Sequence, residues 1–323
     1  MRVGIVGAGI AGIAAGRRLH QSGASVTLFE KSRGVGGRVA TRRKDGFTWD
    51  IGATSVAMRG RSLDKVILDE LSRDDLLAVT KPIFVHNDLH PQPGDGRTPV
   101  PRYAYRTGMT KLAKLLAEDL DIRFGSPVER IERHHDRYTI HGEEFDRLVL
   151  TAPIPQTGLL LWAMDLRRAI AQVRYRTCLS VGLGFSAPLP ETSYHALLDP
   201  SLRHPLSWLC LESVKVPDHA PAGSSSIMAQ LGREFSRLNY ETPDDELIRI
   251  VYGYLTRLYS PRLAHPSAST VMRWKYAQPE SLIDFDTANP EGTTVLIAGD
   301  ALSGARIEEA YETGLMAAER ILS

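Results

Sequence analysis

An α/β chain of two parts, a doubly wound parallel sheet joined to a second α+β part with a mostly antiparallel sheet, is predicted by three observations. The first thirty residues spell strand, glycine turn, helix, strand and acidic stop. A second strand, turn and helix closes the chain, and the stretch between them changes to longer strands with alternating residues.

Val3, Ile5 and Val6 form a short apolar strand, and Gly7, Gly9 and Gly12 stand in G-x-G-x-x-G spacing where it should hand over to a helix. Gly7 permits the tight turn and Gly9 lets backbone approach a pyrophosphate. Ile10 and Ala11 open the helix, and Gly12 lets that helix pack on the strand with its N-terminus facing the phosphates. Val26, Leu28 and Phe29 supply the next strand, which ends at Glu30, a carboxylate placed to accept hydrogen bonds from a ribose diol. The context on both sides of the glycines predicts a Rossmann-like dinucleotide unit. NAD and FAD share the ADP half that it reads.

The residues after Glu30 favour FAD. Lys31 and Ser32 lead into Arg33, Gly34, Val35, Gly36, Gly37 and Arg38, a second cluster of glycine and arginine. Flexible glycines and a guanidinium here let backbone amides and Arg38 close over a longer, doubly charged pyrophosphate ligand. The chain as a whole carries 39 Lys and Arg against 38 Asp and Glu, a formal net charge of +1, which gives no global electrostatic case for nucleic acid. The local basic stretch 33–44 better suits a polyanionic cofactor.

These segments, followed by Trp49, Asp50, Ile51, Gly52 and Ala53, resemble the flavin amine oxidase superfamily. The resemblance implies that the ADP-binding unit continues into an FAD site, with further cofactor contacts at Lys31, Gly52, Ala53 and Thr54 and a backbone contact from Val128 to adenine. Within that superfamily the chain is similar to the short renalase-like bacterial flavoproteins. Met272, Arg273, Trp274, Lys275, Tyr276, Ala277, Gln278 and Pro279 resemble their W-[RK]-[YH]-x-Q motif, and Leu296, Ile297, Ala298, Gly299, Asp300 and Ala301 resemble their closing G-D motif. The C-terminal pattern also has a physical reading. Residues 295–298 form a buried-type strand ended by Gly299 and Asp300, and from Ile307 onward apolar residues recur at helical spacing. Asp300 is then placed to accept from ribityl hydroxyls, and Ile307 opens a helix toward the flavin. The two ends of the chain are expected to build one site.

With 323 residues, 43% of them hydrophobic, the chain is long enough for two cores. The expected division assigns 1–78, 106–155 and 271–323 to the FAD-binding domain, and 79–105 with 156–270 to the substrate domain. A helix is expected over 62–77. The stretch 82–101, interrupted by Pro91, Pro93, Gly94 and Gly96, reads as the first crossing between domains. A helix over 110–120 follows Gly108 and Met109. Short strands are expected over 122–124, 127–133, 138–141 and 144–150, then longer ones over 179–185 and 226–231, and an amphipathic helix over 244–259.

Cys178 and Cys210 are isolated thiols in strand-like segments, which points to a reducing, cytoplasmic setting. His134 and His135 fall in a polar turn, and no metal-ligand spacing appears. The apolar stretch 3–15 lacks a signal-peptide cleavage region and is fully used by the glycine motif. No run approaches the roughly 20 apolar residues of a membrane span.

Catalytic candidates are Trp274, as an aromatic wall for a planar substrate, and Lys275, as a cation beside the flavin. Tyr103, with Tyr105, Arg102 and Arg106 around it, is a candidate for a polar substrate wall, and Trp208 for a flat pocket. The resemblance implies an FAD-dependent oxidase. It would move a hydride from a small, dihydronicotinamide-like substrate to flavin and then to molecular oxygen, giving hydrogen peroxide. Amine oxidation is a second reading, set back by a short chain without a recognisable aromatic cage. A desaturase or oxidase of a larger apolar substrate, of protoporphyrinogen or carotenoid type, is a third. A nucleotide-binding protein without redox turnover is the alternative from another class.

Overall fold

The computed structural model describes residues 1–94, 100–260 and 263–323. Among them the chain opens with β1 (Arg2–Val6), α1 (Ile10–Gln21), β2 (Ser25–Glu30), β3 (Thr41–Lys44), β4 (Phe47–Asp50), β5 (Val56–Ala57) and α2 (Ser62–Lys65). It continues through β6 (Leu76–Ala78), β7 (Ile83–Asn87), β8 (His90–Gln92), β9 (Arg102–Tyr105), α3 (Thr110–Leu116) and β10 (Asp121–Phe124). Next come β11 (Glu132–His134), β12 (Arg137–Ile140), β13 (Glu143–Phe145), β14 (Arg147–Leu150), α4 (Ile154–Ala163) and β15 (Tyr175–Phe185). Then follow β16 (Ala196–Leu198), β17 (Leu206–Leu211), α5 (Glu212–Lys215), β18 (Ser225–Leu231), α6 (Arg233–Leu238) and α7 (Asp244–Leu258). The last elements are β19 (Ala268–Pro279), α8 (Phe285–Ala288), β20 (Val295–Ile297) and α9 (Ile307–Leu322).

Among the described residues, β10, β2, β1, β14 and β20 form a wholly parallel five-stranded sheet in that order. Its central strands β1, β14 and β20 read as near-continuous apolar runs because both faces are covered, while the edge strand β10 is largely exposed. α1 and α9 pack together on this sheet, so the first and last helices are neighbours. The second large sheet runs β19-β15-β18-β17-β16-β7-β8 and is antiparallel except where β16 meets β7. This is the predicted fold: a Rossmann-like parallel sheet beside a mostly antiparallel one.

Alternation along β15 decides which face of the second sheet does what. Leu179, Val181, Leu183 and Phe185 enter a core with Leu247, Val251 and Leu255 of α7. The residues between them are small, and β4 lies on that side. A Cβ at Gly182 would stand 2.8 Å from Trp49, and one at Gly184 would stand 2.7 Å from Phe47, so the strand is smooth where the β4 aromatics dock. The buried Trp49 donates through Nε1 to Leu183 O at 3.3 Å. β4 thereby carries the end of the first glycine region onto the second sheet.

Several expected elements differ. The helix over 62–77 stops after α2 and one π-type turn, Val66–Glu70, closed by Leu71 N donating to Val66 O at 3.0 Å. Ser72 and Asp74 then bond to each other, a local alternative that competes with helix, and the chain turns into β6. The crossing segment 82–101 is not all loop: β7 and β8 form a hairpin through Asp88 and Leu89, both with positive φ, while Gly96 lies outside the described residues. The helix over 110–120 ends at Leu116, and Asp119 is left-handed at φ 65°. The strand over 127–133 is confined to Glu132–His134. The strand over 144–150 is divided at Asp146, whose carboxylate and amide both bond Arg2 backbone, so β13 joins a hairpin and β14 joins β1.

Sheet membership also bears on the division into domains. The expected boundary at 271 falls inside β19, which pairs along its length with β15 in the second sheet. β9, from the 79–105 stretch, pairs instead with β5 and β6.

Candidate functional site

The first glycine turn is built for close approach. Gly7 N donates to Phe29 O at 2.9 Å, joining the turn to β2. A Cβ at Gly12 would stand 2.0 Å from Gly7 O, so only glycine lets α1 pack this close. Nothing lies within 4 Å of a Cβ placed on Gly9, which leaves open the side from which a ligand approaches. α1 begins at Ile10 with no side-chain cap and no acidic residue in its first turn. Its leading amides are therefore unclaimed by side chains and present the positive end of the helix to an anion. Ile10 and Ala11 are themselves buried.

Glu30 is buried at the end of β2. One carboxylate oxygen accepts from Ala8 N and the other from Ser32 N, both at 2.8 Å. A carboxylate has about four lone-pair sites, so two remain for a diol. The second glycine cluster is laced onto the first, with Gly36 N donating to Ala8 O at 2.8 Å and Gly37 in a left-handed conformation beside Gly9. Lys31 is exposed. Gly125 N and Ser126 N bond to Ser32 O and Glu30 O, which brings the segment holding Val128 to the end of β2. Val128 lies outside every described strand.

The two ends of the chain meet at Arg38 and Asp300. Arg38 Nη1 lies 2.6 Å from one Asp300 oxygen and Nη2 lies 2.8 Å from the other, a bidentate pair. Nη1 also donates to Ala277 O at 3.0 Å. The Asp300 side chain is 9% exposed and that of Arg38 33%, so the guanidinium keeps an open edge while the carboxylate is buried beneath it. The sequence placed Asp300 to accept from ribityl hydroxyls. Each of its oxygens accepts one Arg38 donor, so Asp300 fixes that guanidinium and keeps about two lone-pair sites beside it. Gly299 N donates to Thr313 Oγ1 of α9 at 3.0 Å, and Ile307, half-buried, opens that helix.

Beneath Arg38 the backbone turns through Gly52, Ala53 and Thr54. Ala53 N donates to Arg38 O at 2.9 Å, and a Cβ on Gly52 would stand 2.0 Å from that same oxygen. Three side chains from the far sheet and α5 hold the carbonyls of this turn. Trp274 Nε1 donates to Ile51 O at 3.0 Å, Gln230 Nε2 to Gly52 O at 2.6 Å, and Lys215 Nζ to Thr54 O at 2.8 Å.

Lys215 belongs to a charge cluster that the sequence did not reveal. Its ammonium is 2.7 Å from Asp50 Oδ2 and 2.7 Å from Glu212 Oε2, and His219 Nδ1 is 2.7 Å from the same Glu212 oxygen; all four side chains are fully buried. Burial alone would pull the Lys215 pKa down, but Asp50 and Glu212 outweigh it and hold the ammonium above the usual lysine range. Asp50 Oδ1 accepts in addition from Met109 N and Thr41 Oγ1, each at 2.7 Å. Asp50, Glu212 and His219 offer ligand atoms within 4.8 Å of one another, yet the lysine ammonium already sits against both carboxylates where a cation would go. Asp50 stands in the W-D-I-G-A segment. Lys215, in E-S-V-K, carries no local signal that it is buried.

The W-K-Y-A-Q segment explains its own spacing. Trp274 reaches the turn at Ile51 and also Ser180 Oγ at 3.2 Å; Ala277 O accepts from Arg38; Gln278 accepts from Arg176. Tyr276 meets Tyr175 edge-on at 5.6 Å, and Tyr175, whose pKa is pushed up to about 12 chiefly by burial, senses the charges of Asp300 and Arg38. Lys275 is exposed on the other side of the strand, 5.8 Å from the Tyr276 ring, and is not brought to the turn with Trp274. Trp208 packs, half-buried, in a cluster with Met228, Met272 and Trp274. Tyr103 is half-buried on β9, opposite Val56 and Ala78.

An open phosphate-facing helix end, a carboxylate at the strand tip and a guanidinium with a free edge fit the pyrophosphate and ribose of FAD. Comparison with known proteins agrees. The model for the NAD(P)-binding Rossmann-like domain matches residues 5–66, and that for flavin containing amine oxidoreductase matches residues 83–322. A 4,4'-diapophytoene desaturase (4,4'-diaponeurosporene-forming) of Staphylococcus aureus (strain Newman) is 48% identical over 58 residues, which are 18% of this chain and only 12% of that protein. Solved structures are similar over nearly the whole chain. A candidate protoporphyrinogen oxidase from Exiguobacterium sp. 255-15 has a TM-score of 0.79 at 18% identity, covering 99% of this chain and 98% of that one. A reduced UDP-galactopyranose mutase has 0.79 at 16%, covering 99% and 95%, and a putrescine oxidase bound to putrescine has 0.74 at 15%, covering 100% and 99%. These similarities show the fold. With a family model matched over well more than half its length, the chain belongs to the flavin containing amine oxidoreductase family and is an FAD-dependent oxidoreductase.

Proposed function

We propose that this enzyme is a renalase-like oxidase that takes a hydride from a small, dihydronicotinamide-like donor and delivers the electrons to molecular oxygen, which gains two protons and leaves as hydrogen peroxide. Bound FAD supplies the two-electron acceptor. The chain supplies orientation, charge and exclusion of water. Trp274 and Trp208 offer a flat apolar surface on the side of the second sheet that faces the 51–54 turn.

The observation that carries the reading is a basic group beside that turn. Arg102 donates to Ser55 Oγ at 3.3 Å, and Arg59 pairs with Glu308 at 3.0 Å in the first turn of α9. Burial first, then the charges of Arg59 and Arg306, pull the Arg102 pKa down, while Glu308 raises it. Glu308 is taken by Arg59 and neighbouring Glu309 by Arg61, which leaves Arg102 and its positive charge for an anionic donor, such as a dinucleotide carrying phosphates, and less reason to attract a cationic amine. The desaturase likeness is confined to 58 residues and carries no substrate with it. A cytoplasmic setting is part of the proposal, supported by two free thiols.

Anaerobic mixing of the FAD-loaded protein with 2- and 6-dihydronicotinamide dinucleotide isomers tests it. The flavin band should bleach, then recover in air with release of peroxide. Reduction by putrescine or another amine, with neither isomer active, contradicts the proposal.

A further inference from the structure

The buried charge cluster has no place in hydride transfer, yet it ends on the turn that the flavin reading puts against the cofactor. We infer that Lys215 is a positioning residue: it fixes the Thr54 carbonyl, and through it the 52–54 turn, so that the seven-stranded sheet and α5 set the wall of the flavin site. The inference rests on the FAD assignment but is independent of which reductant the enzyme takes.

Position and chemistry both support it. Backbone turns normally lie at the surface, where water satisfies their carbonyls. Here Thr54 is buried, and its carbonyl receives a charged donor that is itself inaccessible to solvent. Lys215 is anchored from two sides, by Asp50 at the start of the turn and by Glu212 one helical turn back. Asp50 is in turn fixed by Met109 N and Thr41 Oγ1, so the cluster ties the start and end of 50–54 to α5, to β3 and to the residue that precedes α3. An ammonium with three directed donors fills all three: two carboxylates and one carbonyl. An apolar side chain of similar length, such as methionine, makes none of these bonds and leaves the Thr54 oxygen unpaired. Glu212 Oε2 is held in turn by His219 Nδ1 at 2.7 Å, which fixes the carboxylate that anchors Lys215.

The test is hydrogen exchange on the full chain, first without added FAD, for Lys215→Met/Glu212→Gln, which removes one charge of each sign. The Ala53 amide should exchange faster by at least tenfold more than the Val3 to Val6 amides of β1, which report any global loss of stability. With FAD bound, the visible circular dichroism of the flavin should change shape, a signal that loss of stability alone does not move. Unchanged exchange at Ala53, or an unchanged flavin signal, overturns the inference. The unsubstituted protein gives a second measurement that holds if the variant does not fold. Its 52–54 amides should open together with 212–215, and a turn that exchanges freely while 212–215 stays protected overturns the inference as well. Because the exchange measurement without FAD needs no cofactor or reductant, its outcome stands even if the oxidase assay fails.

Discussion

Arg38 makes a geometric demand that a point charge does not meet, since its fork bonds both Asp300 oxygens and its third contact is Ala277 O. Arg38→Lys is therefore expected to weaken FAD binding at least tenfold, about 1.4 kcal/mol, by equilibrium fluorescence titration. Lys215→Met alone leaves two carboxylates buried without their counter-ion. It should cost about 3–5 kcal/mol in urea unfolding, with part recovered when Glu212→Gln is added. His195 gives a pH dependence. Burial lowers its pKa to about 4 from an ordinary 6.5, against the opposing bond to Lys81 O. The unfolded chain thus binds a proton between pH 6.5 and 4 that the native state refuses. Stability should be full above pH 6.5 and fall by about 3 kcal/mol as pH drops to 4. His195→Gln should flatten that slope, and an unchanged slope in the variant removes His195 from the acid response.

At the scale of elements, the smooth face of β15 lets β4 reach the site. Gly182→Ala would place a methyl 2.8 Å from both Trp49 and the Thr270 methyl, and overpacking of this kind costs about 1–3 kcal/mol. Thermal unfolding should show that loss, together with weaker FAD binding because the turn after β4 shifts. Elements governed by local period or by a glycine turn were legible in the sequence: β1, α1, β2, β20 and α9 form where expected, and Arg38 with Asp300 were singled out from motifs at opposite ends. What was not legible depends on long-range partners. Nothing local to 144–150 announces that Asp146 will take both backbone groups of Arg2. The pairing of Arg38 with Asp300, rather than of each with the ligand alone, spans 262 residues. Lys215 looks like any helical lysine until β4 is folded against it.

Across the whole molecule, the parallel sheet provides the nucleotide half of the site, while the second sheet supplies a wall through β18, β19 and α5. No described helix is long and apolar enough to cross a membrane. The boundary between the halves is crossed by hydrogen bonds from Trp274, Gln230 and Lys215, so cofactor binding should stabilise both together. At FAD a hundredfold above its dissociation constant the gain is about 2.7 kcal/mol, which should appear in calorimetry as one unfolding transition moved upward rather than two moving apart. The site itself stands on the closure of two chain ends through Arg38 and Asp300. The most direct measurement is the FAD dissociation constant of the wild type, Arg38→Ala, Asp300→Ala and the double variant. One FAD per chain, a loss of at least tenfold in each single variant, and a double variant clearly tighter than the product of the two losses are expected, because the pair acts as a unit. Four equal dissociation constants would contradict a flavin site closed by both ends of the chain.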